Sequence, residues 1–315
     1  MEKYRIIFMG TPHFAVPVLN SLASREEVSL VVTNPDKPKG RGRSVASPPV
    51  KEAAQSLGIP VYQPEGLKKN TDAFERIRGE KPDFIVAVAY GQILPPGILG
   101  IPFIAPLNVH ASLLPRYRGA APINWAIMEG EEMTGITIME MEEGLDSGPV
   151  LLLREEVIRQ EDRADSLALR LSSLGAQSLL EVLDLYREGK AKGVPQDHDR
   201  ATYAPMIKSG DGKIDWNSDA VKIRNLSRGL YPRPGAYSTY KGKRLKVTVC
   251  TVERLPRAPA ANPGDILEVR RDGIVVKCGN GNLLITRLQP EGKREVDGWS
   301  YVQGYRVTEG QRLGE

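Results

Sequence analysis

The chain has 315 residues, 41% of them hydrophobic and 26% charged, which suits about two globular domains, each able to bury a core. Residues 1–207 carry 23 Lys and Arg against 27 Asp and Glu, net −4, and residues 208–315 carry 20 against 12, net +8, so an anionic partner is expected at the basic end, nucleic acid first. No apolar run approaches the roughly 20 residues of a membrane span, and the N-terminus lacks the apolar core and small-residue cleavage site of a signal peptide, which together point to a cytoplasmic protein.

In chain order, Arg5–Met9 reads as a buried strand ending at Gly10, with a helix from Phe14. The turn Gly10-Thr11-Pro12-His13-Phe14 lacks GxGxxG and reads as a tight strand-to-helix connection rather than a dinucleotide site. Val28–Thr33 is a second strand, and Asn34–Arg43 is too rich in Pro and Gly for regular structure. A helix over about Val50–Leu57 follows, then strands at Phe84–Ala89 and Leu107–Val109. Such alternation predicts an α/β fold, a doubly wound, mostly parallel Rossmann-like sheet that gathers ligands at the carboxyl ends of its strands. Strands at Ile136–Met141 and Val150–Val157 continue the sheet, and a helix over Ser166–Arg187 presents Leu167, Leu171, Leu174, Leu179 and Leu183 as its apolar face. Gly189–Tyr203 reads as a linker. Ser218 is the expected cap of a helix through Arg228. Short strands at Ala236–Tyr240, Leu245–Val252, Asp265–Val269, Ile274–Cys278 and Leu283–Leu288 suit a small β-barrel of the oligonucleotide-binding type. The expected division is 1–188, a linker over 189–207, and a barrel over 208–315. Cys250 and Cys278 form no CxxC pair and read as reduced, buried thiols. His13, His110 and His198 are far apart, so no metal is expected.

The chemistry concentrates in residues 107–122. Asn108 and His110 lie two apart on a strand and share a face, so an amide and an imidazole can both reach a carbonyl oxygen that turns negative. The plainer alternative is an Asn that satisfies backbone groups and a surface His. The Glu142–Gly148 loop carries Asp146, which is either a partner brought to His110 by folding or a turn residue bonding its own backbone.

The elements Asn-x-His, Ser-Leu-Leu-Pro-x-x-Arg-Gly and Gly-Leu-Asp-x-Gly, in this order, resemble the folate-dependent formyltransferases. The string Ser112–Pro122 is similar to the branch of that family that acts on methionyl-tRNA. Ile6–Pro12, Asn34–Arg43, Val88–Gly91, Ile214–Trp216 and Leu288–Lys293 extend the likeness over nearly the whole chain. The resemblance implies 10-formyltetrahydrofolate as formyl donor and the amine of methionyl initiator tRNA as acceptor, with neither metal nor stable protein partner nor membrane. It places the catalytic set on Asn108, His110 and Asp146, and folate contacts on Ser112, Leu113, Leu114, Pro115, Tyr90 and Gly91. It also places tRNA contacts on Lys39, Arg41 and Arg43 of the basic loop, and Lys208 lies near a further one. Two positions depart from the pattern: Ala111 replaces a common glycine, and Met206 stands where many members have lysine, which puts a tRNA contact there in doubt. Rival readings are a formyltransferase for a sugar-nucleotide or purine-precursor amine, and an RNA-binding protein with an inert enzyme-like domain. A nicotinamide-dependent dehydrogenase is disfavoured by the missing GxGxxG.

Overall fold

The run Arg-Ile-Ile-Phe-Met-Gly is apolar at consecutive positions, as a strand covered on both faces requires. It forms β1 (Arg5–Gly10), an interior strand of a seven-stranded sheet in a computed structural model that describes residues 2–39, 44–253 and 261–315. The remaining elements of the first 190 residues are α1 (Val16–Arg25), β2 (Glu27–Val32), β3 (Lys37–Lys39), β4 (Ser44–Ala46), α2 (Pro49–Ser56), β5 (Val61–Tyr62) and α3 (Thr71–Gly79). There follow β6 (Phe84–Val88), α4 (Pro96–Leu99), β7 (Ala105–His110), α5 (Pro122–Met128), β8 (Met133–Glu140), β9 (Val150–Val157) and α6 (Ala164–Arg187). The sheet order is β5-β2-β1-β6-β7-β8-β9. The chain leaves β1 towards β2 and later returns to β6 on its other side, so the topological switch point, where ligands of such sheets bind, lies between β1 and β6.

The sheet is mostly parallel, as expected, with β8 running antiparallel to β7 and β9 antiparallel to β8. One expectation needs correction here. The loop from Asn34 is not wholly irregular: β3 and β4 form an antiparallel pair, Lys37 opposite Ala46 and Lys39 opposite Ser44. A two-stranded ribbon tolerates Pro38, which can donate no ladder bond. The base of the ribbon is pinned by Asp36, whose carboxylate accepts from Lys51 Nζ at 2.6 Å and Gln63 Nε2 at 2.8 Å.

Contacts divide the described residues into two compact units. The first takes residues up to Pro122, Met133–Val157 and Ala168–Pro205; the second takes Ile123–Glu132, Ile158–Leu167 and Met206–Glu315. In the first unit Ile7, Met9, Leu30, Val32, Ile85 and Ala87 pack with Ala73 and Ile77 of α3. Of the expected apolar face of α6, Leu171, Leu179 and Leu183 are fully buried, each stabilising by about 1.5–3 kcal/mol, whereas Leu174 is only partly buried. Gly175 of the same helix lets it close on the sheet, since a Cβ there would meet Val109 Cγ1 at 2.9 Å. Val109 therefore faces α6, and its strand neighbours Asn108 and His110 face the other way.

In the second unit α7 (Ala220–Gly229) is capped by Asp219, not Ser218: the Asp219 carboxylate accepts from Val221 N at 2.7 Å. The strands are β10 (Tyr237–Tyr240), β11 (Lys243–Glu253), β12 (Ile266–Arg270), β13 (Gly273–Lys277), β14 (Asn282–Pro290) and the short β15 (Val296–Asp297), followed by α8 (Gly298–Tyr305). Their antiparallel order is β10-β11-β14-β13-β12, with β15 beside β14. Among the described residues no ladder joins β10 to β12, and the sheet packs on a core that includes Val247, Ile274, Ile285 and Leu288. Sequence reading did not find β15 and α8. No helix among the described residues is long and apolar enough to cross a membrane.

Candidate active site

Strand β7 supplies the first two groups. Its register with β6 sets Asn108 opposite Ala87, on the face that packs with α3. At the carboxyl end of β7, His110 is 5% exposed. The loop joining β8 to β9 brings Asp146 to both. Asn108 Nδ2 donates to Asp146 Oδ1 at 3.2 Å, and His110 Nδ1 lies 3.7 Å from Asp146 Oδ2. Folding thus brings Asp146 to the Asn108–His110 pair, from which it is separate in sequence.

The imidazole is held on its other edge by the Tyr117 carbonyl, 3.0 Å from Nε2. A carbonyl can only accept, so Nε2 carries a proton, and Nδ1 faces the carboxylate. Asp146 is fixed from three sides. Besides Asn108, the Gly119 N–H donates to Oδ2 at 2.8 Å, and Gln196 Nε2 donates to the Asp146 carbonyl at 2.9 Å. Its backbone sits in the left-handed region at φ 49°, a costly conformation for a side-chain-bearing residue that surrounding contacts must hold. Gly119 has φ 118°, and a Cβ there would come within 2.8 Å of the Ala204 carbonyl, so only glycine can present this N–H.

Sequence reasoning missed Gln196 altogether, because it lies in the segment read as a linker. It is 8% exposed, and its amide spans two loops. Its nitrogen donates to the carbonyls of Asp146 and Gly148, while its oxygen accepts from Arg118 Nε at 3.1 Å and Nη2 at 2.7 Å. Arg118, 4% exposed, also donates to His198 Nδ1 at 3.1 Å. Thr137 of β8 was likewise missed. It is fully buried, donates to the Ser112 carbonyl at 2.6 Å and accepts from Leu114 N at 3.1 Å. No periodic pattern marks a buried polar residue whose partners are distant in sequence.

The expected folate residues fall into two groups. Ser112, Leu113, Leu114 and Pro115 form the turn directly after β7, pinned by Thr137 and by Ser112 Oγ, which donates to the Arg116 carbonyl at 2.7 Å. Ser112 and Leu114 are buried, so they shape this turn, whereas Leu113 and Pro115 are partly exposed. Tyr90 and Gly91 follow β6, beside the switch point. The Tyr90 ring is packed in the core, its hydroxyl has no hydrogen-bond partner, and burial pushes its pKa up to about 12. Its carbonyl accepts from Thr11 Oγ1 and Asn34 Nδ2, which ties together the loops after β1, β2 and β6. Gly91 has φ 82°.

Of the expected tRNA contacts, Arg41 and Arg43 lie outside the described residues. Lys39 ends β3, and Lys208 and Met206 are exposed. No group of three or more His, Cys, Asp or Glu side chains among the described residues is placed to hold a metal ion. A shallow depression of about 450 Å³ before α3, lined by Lys68, Lys69 and Asn70, contains none of the site residues.

A doubly wound sheet with an amide, an imidazole and a carboxylate converging at its carboxyl edge, followed by a separate antiparallel sheet, defines a class. Residues 4–183 match the family of formyl transferases and residues 206–306 match the formyl transferase C-terminal domain; the chain belongs to this family and is a formyltransferase. Among its relatives, the methionyl-tRNA formyltransferase of Geobacter sulfurreducens is 49% identical over 100% of this chain and 98% of its own length. That of Caldanaerobacter subterraneus is 47% identical over 98% of this chain and 99% of its own. Among solved structures, methionyl-tRNA formyltransferase from Clostridium thermocellum shares the fold at TM-score 0.56 and 19% identity, over 79% of this chain and 94% of that one. HypX from Aquifex aeolicus, in complex with tetrahydrofolic acid, does so at TM-score 0.65 and 20% identity, over 98% of this chain and 49% of its own.

Proposed function

We propose that this formyltransferase moves the formyl group of 10-formyltetrahydrofolate onto the free amine of methionyl initiator tRNA, giving N-formylmethionyl-tRNA in the cytoplasm. The observation that carries the chemistry is the Asp146 carboxylate, bonded to Asn108 and lying 3.7 Å from His110 at the carboxyl end of β7. The acceptor rests on the full-length likeness to methionyl-tRNA formyltransferases.

The amine attacks the formyl carbon, the C–N10 bond breaks, one proton leaves the amine and one is gained by N10. Negative charge builds on the formyl oxygen as the attack proceeds. Asn108 spends one amide N–H on Asp146 and keeps a second for that oxygen; such a donor supplies roughly 2.7–4 kcal/mol of transition-state stabilisation. His110 adds a second donor and delivers a proton towards N10 once its Nε2–H leaves the Tyr117 carbonyl for the substrate. Asp146 orients both and orders the water that takes the amine proton. Leu113 and Pro115, with the Ser112–Leu114 backbone shaping their turn, line the donor site together with the loop of Tyr90 and Gly91. Residues 1–188 carry this chemistry, and residues 208–315, joined through 189–207, attract the tRNA. Lys39, Arg41, Arg43 and Lys208 contact it.

The test is incubation with 10-formyltetrahydrofolate and a panel of acceptors: methionyl initiator tRNA, other charged tRNAs and an amino-sugar nucleotide. Formylation of methionyl initiator tRNA above all others is the expected result. Formylation of the sugar nucleotide alone would reassign the acceptor, and formylation of none would leave only RNA binding.

A further inference from the structure

Three loops of the first unit meet at one amide. Thr11 follows β1, Asn34 follows β2, and Tyr90 and Gln92 follow β6, with β1 and β6 bordering the switch point. Both N–H groups and the oxygen of the Asn34 side chain are engaged. Its Nδ2 donates to Thr11 Oγ1 at 2.9 Å and to the Tyr90 carbonyl at 2.8 Å, and its Oδ1 accepts from Gln92 Nε2 at 2.7 Å. The Asn34 backbone carbonyl accepts from Gln63 Nε2 at 2.9 Å, and the same Gln63 nitrogen donates to Asp36 Oδ1 at 2.8 Å. Asp36 immediately precedes β3. A short chain of hydrogen bonds therefore runs from the loop after β6 to the base of the β3–β4 ribbon.

Neither end of this chain holds its shape unaided. Ala89 and Gly91 stand in the left-handed region at φ 46° and 82°, and for Ala89 that conformation is costly, so surrounding contacts must hold the Tyr90 loop. Asn34 is one such contact, its Nδ2 lying 3.6 Å from where a Cβ of Gly91 would be. The ribbon is a separate two-stranded sheet with three residues in each strand, too short to be stable alone. Its course is set where Asp36 is held by Gln63 and by Lys51 Nζ at 2.6 Å.

We infer that Asn34 is a positioning residue that makes donor and acceptor bind cooperatively, a role that rests on the folate and tRNA contacts proposed above. Folate seated on the Tyr90–Gly91 loop fixes the Asn34 amide, and through Gln63 and Asp36 fixes the ribbon that meets the tRNA. Ordering done by one substrate need not be done by the other, so the coupling is positive. Thermodynamic linkage makes it equal in both directions. A purely structural tie would stabilise the fold and leave the two affinities independent.

The experiment uses the full chain, methionyl initiator tRNA and tetrahydrofolate, which has no formyl group to transfer. Binding of each is measured alone and with the other saturating. In the wild type each should tighten the other by the same factor, at least about 5-fold. Asn34→Ala and Gln63→Leu should each keep near wild-type affinity for either substrate alone and bring the factor towards 1. In turnover the KM for tRNA should rise while kcat, with both substrates saturating, is retained. Both substitutions break one chain, so the double variant should lose no more coupling than either single one. Hydrogen exchange at the Asp36, Lys37 and Lys39 amides adds a readout without tRNA: tetrahydrofolate should slow it in the wild type and not in Gln63→Leu. Wild-type protein that binds both substrates with a factor of 1 or below would overturn the coupling and leave the activity standing. Wild-type protein that binds no methionyl-tRNA would overturn the acceptor reading and the coupling with it. Variants that keep the wild-type factor would overturn the role of Asn34, as would variants that bind each substrate weakly on its own, the mark of a loop that has lost its fold.

Discussion

The surroundings of Asp146 and those of Lys246 are opposite solutions to the handling of charge. Around Asp146 the two carboxylate oxygens and the backbone carbonyl are each engaged by a separate donor, Asn108, Gly119 and Gln196. Around Lys246, burial and then the charges of Arg244 and Arg233 hold the ammonium below the usual lysine range, and among the described residues no carboxylate pairs with it. A group that must hold a reacting centre in place is fixed by several short bonds, because small displacements are costly to rate. The first arrangement is buried and insensitive to salt; the second is screened by it.

The contrast is broken most directly at β7. Asn108→Ala and His110→Ala should each lower kcat by roughly 10²–10³-fold while the thermal midpoint stays near that of the wild type; near-normal turnover by either purified variant would remove the proposed chemistry. Asp146→Asn should cost about 10²-fold in transfer, with folate affinity retained. An amide there keeps its oxygen for one of the donors Asn108 and Gly119 and must turn its NH2 towards the other, which needs an acceptor. If titration shows instead that folate no longer binds, the carboxylate belongs to the donor site.

Gln196 sharpens the comparison, since it reaches the chemistry only through Asp146. Gln196→Ala strands two carbonyls and the buried Arg118 guanidinium, and should cost about 1–3 kcal/mol of stability in a denaturant titration, together with a fall in kcat. Gln196→Glu keeps the acceptor for Arg118 but loses the donor to Asp146. It should recover stability more than kcat. Equal recovery of both would make the residue purely structural. Arg41→Ala should raise the KM for methionyl-tRNA and leave folate binding unchanged; a matching loss of folate affinity would move that loop to the donor side.

The smallest effect on activity is expected at the thiols. Burial pushes Cys250 and Cys278 up to about 12. A thiol with a folded-state pKa above its unfolded value stabilises the fold fully below the unfolded pKa, near 9, and loses that contribution as pH rises towards 12. Alkylation at neutral pH should therefore be slow in the native protein and complete in denaturant, and stability should fall in the alkaline range. Rapid native labelling would contradict the burial.

Much of this was legible in the sequence, for reasons that differ by element. The uninterrupted apolar runs of β1 and β6 announce strands covered on both faces, and a spacing of two puts Asn108 and His110 on one face. The turn chemistry of Asn34–Arg43 hides a ribbon, because its Pro and Gly content signals irregular backbone while β3 and β4 need only three residues each. The antiparallel return of β8 and β9 is invisible to composition, since a strand reads the same in either direction. Asp146 was reachable through family resemblance, not through pattern, and Gln196 through neither, because its value lies in four hydrogen bonds to residues up to 78 positions away. Adjacent Ser218 and Asp219 are both good caps, and only the observed bond from Val221 N chooses between them.

The central claim is that Asn108, His110 and Asp146 act on the transferring formyl group and not on substrate capture. Single-turnover formylation of methionyl initiator tRNA, with 10-formyltetrahydrofolate and tRNA both saturating, measures that step alone. The account predicts that Asn108→Ala binds both substrates as the wild type does yet forms product roughly 10²–10³-fold more slowly. Wild-type single-turnover rates in the variant, with weakened binding of either substrate, would contradict it.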